Sequence, residues 1–372
     1  MEELDLLSGF TTFIFMASGR HLISLLMVLA GLLTGPLGLR SQDIPGIDHV
    51  VDTIDATIDI FGEEDPMEVT LILDLKKYKR EKHKGEYIPA TFYYHLSDSV
   101  IVEKTTRLKA RGNFRREHCS FAPFWLNIRN ARVADVQLQD ITRIKVVTHC
   151  KGSKGYADYL LKEYLAYKIY NLLSPVSFRV RLVRMRYVDT GSNYKVTENW
   201  AFMIEPEELL AARLGGRVIK RDDLYMRLMV PEDMDRMAMF MYMIGNPDYQ
   251  VYGRHNVKIL GLEDFGIRGY TPVPYDFDYS GLVDTYYALP AEELGIKSVT
   301  ERYYLGACRD DQDYQKAISH LADHREEILE LVQEFPHIDS RVKKMMIGYL
   351  ESYFTEAKGR YFFRYQLNTT CR

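Results

Sequence analysis

Between residues 67 and 150 the chain carries five short runs rich in β-branched and aromatic residues: MEVTLILDL (67–75), IPATFYYHL (88–96), VEKTTRLKARG (102–112), FWLNI (124–128) and TRIKVVTHC (142–150). Turn residues separate them, and the pattern predicts strands. The period then changes. From Tyr156 to Leu173 the apolar residues Leu161, Leu165, Ile169 and Leu172 recur at helical spacing until Ser174-Pro175 stops the run, which predicts a helix. Strands return over 177–189 and 198–205 and flank TGSNYKVT, a segment with the residues of a hairpin turn. Beyond Pro206 the pattern is mainly helical. Met234, Met237, Ala238, Met241 and Tyr242 form one apolar stripe, and 312–333 and 338–358 read as further helices. The predicted class is α+β, with a β-rich lobe containing one helix over 43–205 and a helix-rich lobe over 206–372. A cleft between two such lobes is a favoured ligand site.

One run fits neither period. Leu22 to Gly38, LISLLMVLAGLLTGPLG, has no charge inside it, follows Arg20-His21 and precedes the polar RSQD. It has the form of a signal-peptide core and is short for a membrane span of about 20 residues. Starting at Met16 gives the short basic lead-in MASGRHLISLL that such a core needs, whereas Glu2, Glu3 and Asp5 do not suit it. Residues 1–42 are therefore expected to be a leader, and the protein to be exported to a periplasmic or extracellular space. The alternative is a retained anchor that holds the chain at a membrane through residues 22–38. Export bears on the four cysteines. In an oxidising compartment Cys119 can bridge Cys150, and Cys308 can bridge Cys371; buried free thiols are the other reading.

Charge narrows the choice of partner. Among 372 residues, 48 Lys+Arg stand against 52 Asp+Glu, a net charge of −4. No nucleic-acid partner is expected, because general binding to phosphate backbones needs a strong positive excess. The 24 Gly and 13 Pro also exclude a collagen-like or disordered chain.

The densest constellation of reactive residues is Gly245-Asn246-Pro247-Asp248, then Arg254-His255-Asn256, then Pro274-Tyr275-Asp276-Phe277-Asp278. Phosphoryl transfer needs a carboxylate beside the nucleophile, which Asp248 can supply, and oxygen ligands for metal, which Asn256, Asp276 and Asp278 can supply. His255 has no HxxxH partner and reads as a hydrogen-bonded structural histidine. Between Lys104 and Arg132 eight basic residues face one acid, Glu117, and a hairpin turn is expected at Arg111-Gly112-Asn113. Such a turn can present backbone N–H groups and guanidinium forks to a polyphosphate. Lys145 lies on the strand before the helix that carries Glu163, the arrangement by which kinase-like folds fix a nucleotide's phosphates.

RLKARGNFRREHC, YLLKEYLAYKIYNLL, NWAFMIEPEELLAARLG, MIGNPDYQVYGRHNVKIL and PVPYDFDYSG together make the chain resemble the CotH-like family, atypical kinase-like proteins named for a spore-coat kinase. These pieces span roughly residues 105–285. The resemblance implies a two-lobed protein-kinase-like fold, ATP with Mg²⁺ or Mn²⁺, and transfer to Ser or Thr of a secreted or envelope protein. It implies that Asp248 is the catalytic aspartate, Asn256 and Asp276 the metal ligands with Asp278 beside them, Lys145 and Glu163 the nucleotide clamp, and Glu205 a neighbour of the adenine. Two departures stand out. CSFAPF follows the RGN turn where family members often carry a lysine-rich segment, and the interval from Asp248 to Asn256 is longer than the usual catalytic loop. A catalytically silent member that keeps the fold for surface assembly is the alternative, and a structural calcium site is a third reading of the acidic cluster.

Overall fold

Alternation along each strand decides which of its faces is buried, and three of the strands bury residues on both. The computed structural model describes residues 60–62, 64–97, 100–127, 143–262 and 269–372. The expected leader lies outside them. Seven strands, β1 (Met67–Leu73), β2 (Ile88–Ser97), β3 (Val100–Ala110), β4 (Phe124–Asn127), β5 (Arg143–Thr148), β6 (Val180–Asp189) and β7 (Lys195–Ile204), form a closed barrel in the order β1-β2-β3-β4-β5-β7-β6. Closure comes from parallel pairing of β1 with β6, from Met67 opposite Val183 to Leu73 opposite Asp189. Val69, Leu71, Leu126, Ile144, Val146, Met185 and Met203 fill the interior. Val147, Leu182, Phe202 and Ile204, from β5, β6 and β7, join a second core outside the barrel wall. A period of two sends successive side chains to opposite faces, so β5, β6 and β7 each serve two cores, while the buried residues of β1 to β4 in these cores face the barrel interior.

The mixed α and β class agrees with expectation. The closed barrel is new, because strand periodicity says nothing about which strands meet, and the described residues form one compact unit rather than two visible bodies. The single expected helix of the first part is corrected to three α-helices among the described residues. The first, α1 (Leu75–Glu81), starts where Asp74 accepts the Lys77 N–H at 2.8 Å, and it buries only Leu75 and Tyr78, too few to show a period. The second, α2 (Phe114–His118), stands where a hairpin turn was expected. Gly112, at φ +85°, turns the chain out of β3 into it, a backbone state that glycine adopts without cost. The third, α3 (Lys154–Leu173), is buried continuously from Leu160 to Tyr167.

The second half holds α4 (Glu207–Arg213), β8 (Gly216–Ile219), α5 (Pro231–Met243), β9 (Val257–Leu262), β10 (Thr271–Pro274), α6 (Asp311–Asp323), α7 (Arg325–Glu334) and α8 (Ser340–Glu356). The last three strands form a small antiparallel sheet, β10-β9-β8. The methionine stripe of α5 is buried, with Met234, Met237, Ala238 and Met241 at most 1% exposed. α3 lies between this half and the barrel, packing on β6, β7 and α7, which is why it is apolar nearly all round. Among the described residues no helix is long and apolar enough to cross a membrane.

Both cysteine pairs are bridged, Cys119 to Cys150 and Cys308 to Cys371. The first joins the residue after α2 to the end of β5, and the Phe121 N–H donates to the Cys150 carbonyl at 2.9 Å beside it. α2 is thereby fastened to the barrel.

Candidate functional site

Two loops of the second half are locked side by side. Gly245, at φ +63°, turns the chain after α5. Its carbonyl accepts the Gly281 N–H at 2.8 Å, and the Ile244 carbonyl accepts the Leu282 N–H at 2.9 Å. A Cβ at either glycine would overlap the Tyr349 hydroxyl. The first loop leads to Asp248, and the second follows Asp276 and Asp278.

Asp248 is held from three sides. Its N–H donates to Asn246 Oδ1 at 2.9 Å, Asn256 Nδ2 donates to its Oδ2 at 2.9 Å and to its carbonyl at 2.8 Å, and His255 Nε2 lies 2.8 Å from its Oδ1. That last hydrogen bond raises the His255 pKa. Asn256 and Asp276 both adopt the left-handed region, at φ +50° and +65°. Asn and Asp enter that region more readily than other side chains. Tyr275 N–H to the Asn256 carbonyl, at 3.0 Å, and Asp276 N–H to the Tyr167 hydroxyl, at 2.8 Å, hold the two in place. Left-handed residues of this kind concentrate where a site must be preorganised.

Behind them lies an acidic cluster. Carboxylate oxygens of Glu163 on α3, Asp276 and Asp278 all lie within 4.8 Å of one another. Arg115, from α2, reaches Glu163 Oε2 at 2.5 Å and Asp278 Oδ2 at 2.9 Å, and the Tyr287 hydroxyl donates to the same Asp278 oxygen at 2.9 Å. Burial pushes the carboxyls of Glu163 and Asp278 up; Arg115 opposes this, and the nearby Asp276 adds to it. Glu163 Oε1 is buried without a hydrogen-bond partner. Three carboxylates against one guanidinium, with one buried oxygen unpartnered, fit a hard divalent cation, which takes oxygen ligands.

A cavity of about 510 Å³ opens in front of this cluster. Its wall brings together Arg111, Gly112, Asn113 and Arg115 from the first half and Asp248, His255, Asn256, Asp276 and Asp278 from the second. Glu163 joins through the cluster. Lys145 is not on this wall. Its ammonium lies 4.5 Å from the Tyr275 ring centre and 5.7 Å from that of Trp125. Burial, with Arg111 and Lys258 nearby, draws its pKa down to about 7. The expected pairing of Lys145 with Glu163 is not formed: among the described residues the ion-pair partner of Glu163 is Arg115. Glu205 is also absent from the wall. Its buried carboxylate is enclosed by Arg179 Nε at 2.9 Å, Arg213 Nε and Nη2 at 3.1 Å and the Arg179 N–H at 3.0 Å. It fastens the crossing between β7 and α4.

Two side chains of the cavity wall were not singled out by the sequence pattern. Arg115 is one of eight basic residues between Lys104 and Arg132, and nothing but its place just after the RGN turn distinguishes it. His255 is hydrogen-bonded as expected, yet its partner is Asp248 and it faces the cavity.

No family model matches the chain, and no curated protein does. Among solved structures it is similar to the crystal structure of a Helicobacter pylori proinflammatory kinase, CtkA. The two share 10% identity at a TM-score of 0.35, over 58% of this chain and 90% of that one. A likeness this faint carries no argument about the site.

Proposed function

We propose that the protein is an exported kinase-like phosphotransferase that uses ATP with Mg²⁺ or Mn²⁺ and modifies Ser or Thr of secreted or envelope proteins. The observation that carries the reading is the meeting of the Arg111-Gly112-Asn113 turn with Asp248, Asn256, Asp276 and Asp278 around one cavity. In this reading residues 43–205 and 206–372 are the two lobes. Asp248 accepts the proton of the attacking hydroxyl, and Asn256 fixes the direction in which its carboxylate points. Arg111 and the backbone of Gly112 and Asn113 hold phosphate oxygens. Glu163, Asp276 and Asp278 would hold a divalent cation, which supplies charge neutralisation for a polyphosphate. Lys145, off this wall and against the Tyr275 ring, takes no part in holding the phosphates. Two disulfides favour an oxidising compartment.

The test is transfer of labelled γ-phosphate, read together with a thermal shift. Nucleotide at one hundred times its dissociation constant stabilises the native state by about 2.7 kcal/mol, and Asp248→Asn is expected to keep that shift while abolishing transfer. One observation favours the alternative of a catalytically silent binding module, namely that Arg115 takes the glutamate a strand lysine would hold. Absence of any shift with ATP and metal would favour it.

A further inference from the structure

The loop between Asp248 and Asn256, long for a catalytic loop, has two faces. One lines the cavity described above. The other, Tyr249 to Tyr252, lines a second cavity of about 320 Å³, closed by Tyr225, Met226, Leu305 and Arg372. The rings of Tyr225 and Tyr252 lie 5.1 Å apart at its mouth, and these side chains are 46% and 48% exposed, with Leu228 at 40% beside them. Apolar exposure concentrated around a concave site marks a binding surface. Tyr249, in its wall, has a buried hydroxyl with no hydrogen-bond partner. The rim is basic. Arg372 and Arg227, the latter 4.8 Å over the Tyr225 ring, have no carboxylate partner among the described residues.

We infer that this second cavity takes an aromatic side chain of the polypeptide substrate, next to an acidic residue that meets Arg372 or Arg227. The inference rests on the proposed phosphotransfer for its meaning but not for its test. Aromatic walls suit an aromatic ring, and two guanidinium groups lacking acids complement a carboxylate. Tyr252 is four residues from Asp248, so the cavity begins within about 14 Å of that carboxylate's backbone. An extended peptide advances about 3.3 Å per residue, which places the aromatic residue within about four positions of the acceptor hydroxyl. The extra length of the loop is thereby explained as the partition between two adjoining sites.

The experiment is fluorescence anisotropy without nucleotide, using a labelled decapeptide that carries one Ser and Phe-Glu three positions beyond it. Binding is expected to weaken about tenfold or more when Phe becomes Ala, and likewise in the Tyr252→Ala and Tyr225→Ala proteins. The Arg372→Gln/Arg227→Gln protein should lose the preference for Glu over Gln while keeping that for Phe. Both tyrosines are surface-exposed, and unchanged melting temperatures would show that the variants fold. Equal binding of the Phe and Ala peptides, or full binding by Tyr252→Ala and Tyr225→Ala, would overturn the inference. Because the readout needs no transfer, its failure and that of the proposed activity are separable.

Discussion

Arg115 Nη2 lies 2.5 Å from Glu163 Oε2, and the same guanidinium meets Asp278 at 2.9 Å, so a residue from the RGN segment, not the strand lysine, neutralises the helix glutamate. Both acids are at least nine-tenths buried. Removing one partner of a buried pair leaves an uncompensated charge, which costs about 3–5 kcal/mol. Arg115→Gln should therefore lower the denaturation midpoint strongly. Lys145→Gln removes a buried amine that burial already draws toward its neutral form and that has no ion-pair partner among the described residues, and should cost little or nothing. Equal effects of the two substitutions in chemical denaturation would contradict this division of roles.

Asn256 has two separable duties, its left-handed backbone and its grip on Asp248. Glycine keeps the first and loses the second. Asn256→Gly should stay within about 1 kcal/mol of wild-type stability, whereas Asn256→Ala adds about 1–2 kcal/mol of backbone strain. Both should reduce phosphate transfer about tenfold or more. Comparison of unfolding curves with transfer rates separates the two effects.

Much of this was legible in the chain. The strands over 67–150 and the stripe Met234–Met241 have clear periods, and the candidate site residues stand out because Asp248, Asn256 and Asp276 sit in turn-rich segments between apolar runs. What was not legible depends on long-range contact. Barrel closure pairs β1 with β6, more than 100 residues later. The choice of Arg115 over Lys145 as the partner of Glu163 depends on α2, a five-residue helix too short for any period. Glu205 read as a ligand neighbour because its sequence shows neither Arg179 nor Arg213 folded around it.

Cys119 and Cys150 close a loop with a sequence separation of 31, and the bridge anchors the helix bearing Arg115. Loop entropy gives such a bond about 3–4 kcal/mol. The Cys119→Ser/Cys150→Ser protein should lose that stability and bind divalent metal more tightly, because an Arg115 no longer held in place competes less with the cation for Glu163 and Asp278. Retention of wild-type metal affinity in that variant would show that α2 is positioned without the bridge.

His149 is packed between Phe121 and Tyr187, with Nδ1 buried and unpartnered. Burial, helped by Lys79, draws its pKa from 6.5 down to about 4. The folded state therefore favours the neutral ring. Stability from this group is complete above about pH 6.5 and falls as pH drops toward 4, by about 2–3 kcal/mol in total. His149→Phe should flatten that part of the stability profile. An unchanged slope between pH 6.5 and 4 would place the acid sensitivity elsewhere.

Glu163, Asp276 and Asp278 are assigned as one divalent-cation site beside Asp248. Electron paramagnetic resonance of Mn²⁺ titrated into the folded protein tests this assignment most directly. The bound signal should weaken about tenfold or more in both Glu163→Gln and Asp276→Asn and persist in Lys145→Gln. Bound Mn²⁺ indifferent to the first two substitutions, or no binding at millimolar metal, would contradict it.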